Sequence, residues 1–258
     1  MSDPASAPIL PAATILVLRD DPAFEVLMVQ RHHQIEFASG ALVFPGGKTH
    51  EGDHDPAWAQ ACVGWNEVAP EQRPLRIAAV REVFEEAGLL LGATRPLDPS
   101  ACDVGVRQAV DQGRLPFLKV VSDLGEKVDL TALTVFARWI TPPLTPKRYD
   151  TWFYVARAPA DQLALCDGRE TVDAVWMAPA EAVRMANSGE RKVVFPTRMN
   201  LQLLAEARNS ADAIGRAAAR RLVTVEPQVE ARSGERVLTL PPDAGYGEVA
   251  EPLSRVMG

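Results

Sequence analysis

The chain predicts a layered α/β fold. Three observations carry the prediction: strand-length runs rich in β-branched and apolar residues recur, segments with helical apolar spacing stand between them, and no internal repeat or low-complexity linker divides the chain. Ala13 to Arg19 (ATILVLR) and Phe24 to Arg31 (FEVLMVQR) read as the arms of a hairpin, because Asp20-Asp21-Pro22-Ala23 between them is turn-forming. Ala41 to Phe44 is a third short strand. It ends at Pro45-Gly46-Gly47, where two glycines permit a close backbone approach. Residues 54–74, with Trp58, Trp65 and prolines at 56, 70 and 74, follow no clear period.

From Leu75 to Ala87 the period turns helical: Ile77, Val80, Val83, Phe84 and Ala87 share one side, and Gly88 stands where a helix ends. A further helix is predicted from Ser100, spaced from Asp103 as in a capping box, to about Gln112. Leu133 to Ile140 and Tyr149 to Arg157 read as strands around Thr141-Pro142-Pro143, and Thr171 to Met177 as another, followed by a short helix from Pro179 to Ala186. Helices are expected over 196–208 and 211–221, and two strand-like pieces within 223–240 around Ser233-Gly234-Glu235. The simplest division is one domain over residues 1–215, with an insertion at about 54–74, and an extension over 216–258 packed on the domain or on a second subunit, which makes a homodimer an expectation.

Composition narrows the classes. Apolar residues make up 47% and charged residues 24% of the 258, enough to bury a core and too little polarity for dominant disorder. Lys plus Arg number 27 against 34 Asp plus Glu, a formal charge of -7 with no basic block, so the chain lacks the electrostatic footprint of a protein that binds long nucleic acid. No run approaches the roughly 18 apolar residues of a membrane span, and MSDPASAPILPAAT lacks the basic start and unbroken apolar core of a secretory signal. Cys62, Cys102 and Cys166 lie far apart and in no C-x-x-C pair, which argues against a disulfide framework or a cysteine zinc site. A reducing cytoplasm is the expected location.

The chemistry concentrates in Arg81-Glu82-Val83-Phe84-Glu85-Glu86-Ala87-Gly88-Leu89. On a helix Glu82 lies three residues before Glu85 and four before Glu86, so the carboxylates crowd one face while Val80, Val83, Phe84 and Ala87 point elsewhere. Like charges at this spacing cost roughly 0.2–0.5 kcal/mol per pair even when exposed. A cation or an arginine offsets such repulsion, and oxygen-only ligands favour a hard ion such as Mg²⁺ or Mn²⁺.

This stretch resembles the second half of the box of the Nudix hydrolases, G-x5-E-x7-R-E-U-x-E-E-x-G-U with U a bulky apolar residue. Arg81 to Leu89 matches it without a mismatch. In the first half Gly47 takes the glycine position, but the next acid is Asp53 instead of glutamate, and 27 residues separate it from Arg81 where the box has seven. An insertion inside the box is also found in the coenzyme A diphosphatase branch of the family. Further similarity to that branch lies in Val29-Gln30-Arg31, in Phe37-Ala38-Ser39-Gly40-Ala41 leading into Val43-Phe44-Pro45-Gly46-Gly47, and in Ile140-Thr141-Pro142 before Arg148-Tyr149-Asp150-Thr151.

The resemblance implies a Nudix α/β/α sandwich with a mixed β-sheet, a box insertion lying over the site and a C-terminal extension. It implies Mg²⁺-dependent (or Mn²⁺-dependent) hydrolysis of a nucleoside diphosphate linked to another moiety, with coenzyme A or acyl-coenzyme A leading and dinucleotides or nucleotide sugars as alternatives. A catalytically silent nucleotide-binding module is the non-enzymatic alternative, against which the intact acidic triplet speaks. By resemblance Glu85 and Glu86 are the principal metal ligands, Glu82 a third ligand or a group supporting them, and the Gly46 carbonyl a further one; Asp53 either reaches the metal through water or caps a local turn, and Glu82 and Glu86 carry catalysis with Arg81 orienting a carboxylate. The general base is expected from a later loop, at Glu170, with Asp173 the competitor. Arg31, Lys48 and Arg148 are candidates for the substrate phosphates, arginine matching phosphate oxygens bidentately. Tyr149, Trp152 and Trp176 suit either a stacked base or the core.

A second motif competes. His50-Glu51-Gly52-Asp53-His54 fits the zinc peptidase pattern H-E-x-x-H, whose chemistry needs both histidines on one helix face. Glycines at 46, 47 and 52 and Pro56 oppose a helix there, and the sequence disfavours the zinc reading.

Overall fold

A computed structural model of the chain describes residues 7–31, 40–93, 103–160, 162, 164–166, 171–232 and 234–257. The chain opens with β1 (Ile9–Arg19), β2 (Glu25–Arg31), β3 (Leu42–Val43) and β4 (Gly46–Lys48), followed by a 3₁₀ turn over Glu51–His54. The insertion holds α1 (Trp58–Ala61) and β5 (Cys62–Val63) and leads into α2 (Arg73–Ala87). Next come α3 (Val104–Asp111), α4 (Phe117–Asp123), β6 (Val128–Asp129), β7 (Thr134–Ile140), β8 (Arg148–Arg157) and β9 (Thr171–Met177). The rest is mainly helical, with α5 (Pro179–Ser188), α6 (Phe195–Leu204) and α7 (Ser210–Ala219), before β10 (Thr224–Val225), β11 (Gln228–Arg232), β12 (Glu235–Thr239), β13 (Ala250–Pro252) and α8 (Leu253–Met257).

Among the described residues eight strands make one mixed sheet. Its order is β10-β7-β8-β1-β2-β3, with β4 also on β1 and β9 also on β2. β1 runs parallel to β8 over ten pairs, from Ile9 with Arg148 to Leu18 with Arg157, and antiparallel to β2 and β4. Because strand side chains alternate between faces, β1 sends Ala13, Ile15 and Val17 into one core and Leu16 and Leu18 into another. α2, α4 and the insertion cover the first face, and α5, α6, α7 and the extension cover the second. This is the expected α/β/α sandwich. No helix among the described residues is long and apolar enough to cross a membrane.

Three local expectations change. Gly46–Lys48 is a strand paired to Ala12–Thr14, since two residues without side chains let a third strand close onto β1. α3 starts at Val104, with the Asp103 carboxylate accepting from Gly105 N–H at 2.7 Å, while Ser100 lies outside the described residues. The insertion, whose sequence follows no clear period, packs into the core: Trp58, Cys62 and Val68 enter it, β5 pairs with β6, and the Trp58 ring sits 5.7 Å from that of Phe117 on α4. Burying such side chains stabilises by about 1.5–3 kcal/mol each, a drive that polar residues in a flap would not have. The extension closes on its own chain: β10 pairs with β7, and the Tyr246 hydroxyl donates to Asn200 at 2.8 Å and accepts from Trp139 Nε1 at 3.0 Å.

Candidate active site

α2 carries the acidic turn. Its apolar side meets the core as the period requires, and Gly88 ends it at φ 71°, a left-handed conformation that favours glycine. The acidic side is covered as well: Asp53, Glu82, Glu85 and Glu86 are 2%, 7%, 7% and 4% exposed. The 3₁₀ turn after β4 brings Asp53 to this face, its own carboxylate accepting from His50 N–H at 2.7 Å.

Arg81 is the hub. Its guanidinium donates to both Asp53 oxygens at 2.9 and 3.0 Å, to Glu82 and Glu85 at 2.9 Å each, and to the Lys48 carbonyl at 2.8 Å. The two halves of the box, 28 residues apart at Asp53 and Arg81, are thus joined by a forked ion pair. Gly46 and Gly47 form the opposite wall. Gly46 N–H donates to Glu86 at 3.1 Å, and a Cβ on Gly47 would run into the Glu82 carboxylate, so a side chain there would displace it from its present position.

Among the described residues four buried carboxyl groups face one buried arginine, a formal excess of acidic over basic groups in a poorly solvated place. Burial pushes the Glu85 carboxyl up to about 8, with Arg81 opposing and the Glu82 charge adding to the rise. Burial also works against the Arg81 charge, but Glu82 and Asp53 outweigh it and hold the guanidinium above its ordinary value. Glu85 Oε1 is buried and finds no hydrogen-bond donor among the described residues. An oxygen-only set with surplus charge and an orphaned carboxylate oxygen fits a hard divalent cation. Among the described residues no three acidic, histidine or cysteine side chains close into a ready-made cage: Glu82 and Glu85 turn to Arg81, and Glu86 turns to Gly46.

The other candidates scatter. The Lys48 side chain is exposed at the end of β4. Arg148 is not open to a phosphate: it is buried at the start of β8, donating to the Thr141 carbonyl at 2.9 Å and to Glu226 of the extension at 2.8 Å. Arg31 ends β2, but its side chain lies outside the described residues, as does all of Glu170. Asp173 is exposed on β9 opposite Gln30. Trp152 and Trp176 are half-buried against the core, each with an arginine over its ring, Arg138 at 4.8 Å and Arg19 at 4.5 Å. Tyr149 is half-buried on β8. His50 and His54 bracket a single 3₁₀ turn, not the α-helical face a zinc peptidase needs.

Sequence reasoning missed a buttress behind the acidic helix. Arg107 of α3, 1% exposed, donates to the carbonyls of Leu165 and Cys166 at 2.6 and 2.9 Å. Gln162 bonds both backbone groups of Leu90, and Leu165 N–H donates to the Ala87 carbonyl at 2.9 Å. The loop after β8 is thereby tied to the C-terminus of α2. A Cβ on Gly88 would come 3.0 Å from the Arg107 guanidinium, so that glycine serves both the helix end and this contact. Only the basic residue among apolar ones at 104–110 hinted at it.

A mixed sheet between helical layers and a split acidic box define a protein of the Nudix class. Comparison is more specific: residues 62–204 match the NUDT19 Nudix domain, and the chain belongs to that family. It is 30% identical to the acyl-coenzyme A diphosphatase NUDT19 of Gallus gallus over 65% of this chain and 57% of that protein. The Homo sapiens protein of the same name is 27% identical over 93% of this chain and 77% of its own length. The chain thus spans little more than half of the Gallus gallus relative. Among solved structures, a NUDIX hydrolase from Alicyclobacillus acidocaldarius superposes with a TM-score of 0.69 at 28% identity, covering 81% of this chain and 97% of the other.

Proposed function

We propose that the chain is a divalent-cation-dependent hydrolase of coenzyme A or acyl-coenzyme A, releasing 3',5'-ADP and a 4'-phosphopantetheine. The observation that carries the reading is the cluster of four buried acids around Arg81, with Glu85 Oε1 finding no hydrogen-bond donor among the described residues. The names of the relatives support the substrate.

Mg²⁺ or Mn²⁺ held by Glu82, Glu85 and Glu86 with the Gly46 carbonyl would neutralise the diphosphate and activate water. The chain's own part is positional. Asp53 fixes Arg81, Arg81 fixes Glu82 and Glu85, and Gly46 N–H fixes Glu86. This keeps mutually repelling groups on one face before substrate arrives. Water oxygen joins one phosphorus, the bridging oxygen leaves with the other, and the water proton passes to Glu170 or to Asp173. Lys48, exposed beside the glycine wall, and Arg31 are the residues proposed to meet the phosphate oxygens.

Turnover of coenzyme A, acyl-coenzyme A, a dinucleotide and a nucleotide sugar, measured with Mg²⁺, with Mn²⁺ and with chelator, tests the proposal. Formation of 3',5'-ADP that stops with chelator is expected. Glu86→Ala should lower kcat by at least about 100-fold with an unchanged circular dichroism spectrum; wild-type turnover in that variant rejects the ligand assignment.

A further inference from the structure

Beside the acidic cluster opens a cleft of about 550 Å³ that extends beyond both halves of the box. Its lining takes in His50, Asp53 and Arg81, and its other walls come from α3 and α4 and the turn between them, with Val110, Leu115 and Leu118 among the lining residues. The volume lies in the range of small-ligand sites, and a mostly apolar wall with a few polar groups is their usual lining. Cleft and cluster share Asp53 and Arg81, so whatever fills one abuts what is held by the other.

We propose, resting on the coenzyme A reading above, that this cleft holds the uncharged pantetheine arm of the substrate and leaves the nucleoside bisphosphate outside it. Charge decides between the halves. Asp53, Asp55 and Asp123 line the cleft against Arg81 and Lys119. Both cations are already engaged, Arg81 with three carboxylates and Lys119 Nζ with Asp123 at 2.8 Å. Among the described residues of the lining, a nucleoside carrying extra phosphate meets no unpaired cation and several acids, so its entry is opposed. The arm has no charge beyond its phosphate, and its geminal methyls and methylenes gain by covering Val110, Leu115 and Leu118. That phosphate is the end that must sit at the carboxylates. The arm therefore leads away from the reacting bond along an apolar wall, and an acyl group on its sulfur continues outward past α4.

Calorimetry with 4'-phosphopantetheine and with 3',5'-ADP, each in the presence of Mg²⁺, separates the two halves. Leu118→Trp fills the space and Leu118→Glu charges it. Each should weaken 4'-phosphopantetheine about tenfold, roughly 1.4 kcal/mol, and change 3',5'-ADP less than twofold. Melting temperatures check folding, and Leu115→Trp on the preceding turn replaces any variant that fails to fold, with the same expectation. Unchanged phosphopantetheine binding, or weakening of 3',5'-ADP to an equal or greater extent, overturns the assignment while coenzyme A turnover by the wild type still stands. Absence of that turnover removes the functional reading itself, and this inference with it.

Discussion

Arg81 and Arg148 are both buried, yet their surroundings are opposite. Arg81 sits among four buried acids, three of which it bonds directly. Arg148 has Glu226, 40% exposed, and the Thr141 carbonyl, a pairing that leaves no surplus and joins the extension to the sheet. Arg107 is a third kind, held by backbone carbonyls behind α2. Burial alone therefore does not mark a functional arginine. The balance of acidic and basic groups among the described residues separates Arg81 from Arg148, because a cluster of buried acids is costly unless further positive charge is supplied.

This contrast can be broken. Arg81→Ala leaves the carboxylates facing one another and should cost about 3–5 kcal/mol in urea unfolding without metal, part of it recovered on adding Mg²⁺, which binds the folded state. A loss that Mg²⁺ does not touch would make Arg81 an ordinary structural residue. Arg148→Ala should cost less, about 2 kcal/mol, irrespective of Mg²⁺, and KM for coenzyme A should move by less than a factor of two. A large rise in KM with stability intact would return Arg148 to the substrate phosphates. The smallest effect is expected at the buttress: Gly88→Ala should lose about 1–2 kcal/mol, from the left-handed backbone and the crowding of Arg107 together, and a neutral result would show that the helix end tolerates both.

How much the sequence discloses depends on the range of the contact. The β1–β2 hairpin, the helix ending at Gly88 and the strands β7 to β9 are legible because period and turn residues act locally. So are the neighbours along α2, Glu82, Glu85 and Glu86, since helix spacing alone puts them together. Asp53 reaches them only through a 3₁₀ turn and a closure over 28 residues, and no pattern in residues 54–74 announces that Trp58 will pack against Phe117. Arg148 misled because its partners come from residues 141 and 226, which no local rule connects. Arg107 was hidden for the same reason, its partners lying 58 and 59 residues away.

The pairing of Cys62–Val63 with Val128–Asp129 has an evolutionary corollary. The segment that interrupts the motif and the segment that follows it are stitched to each other, with the Trp58 and Phe117 rings as the shared seam. Neither is a detachable ornament. A lineage that shed one would expose the apolar underside of the other, so gains and losses of the two are expected to travel as a pair, over a sheet that stays as it is.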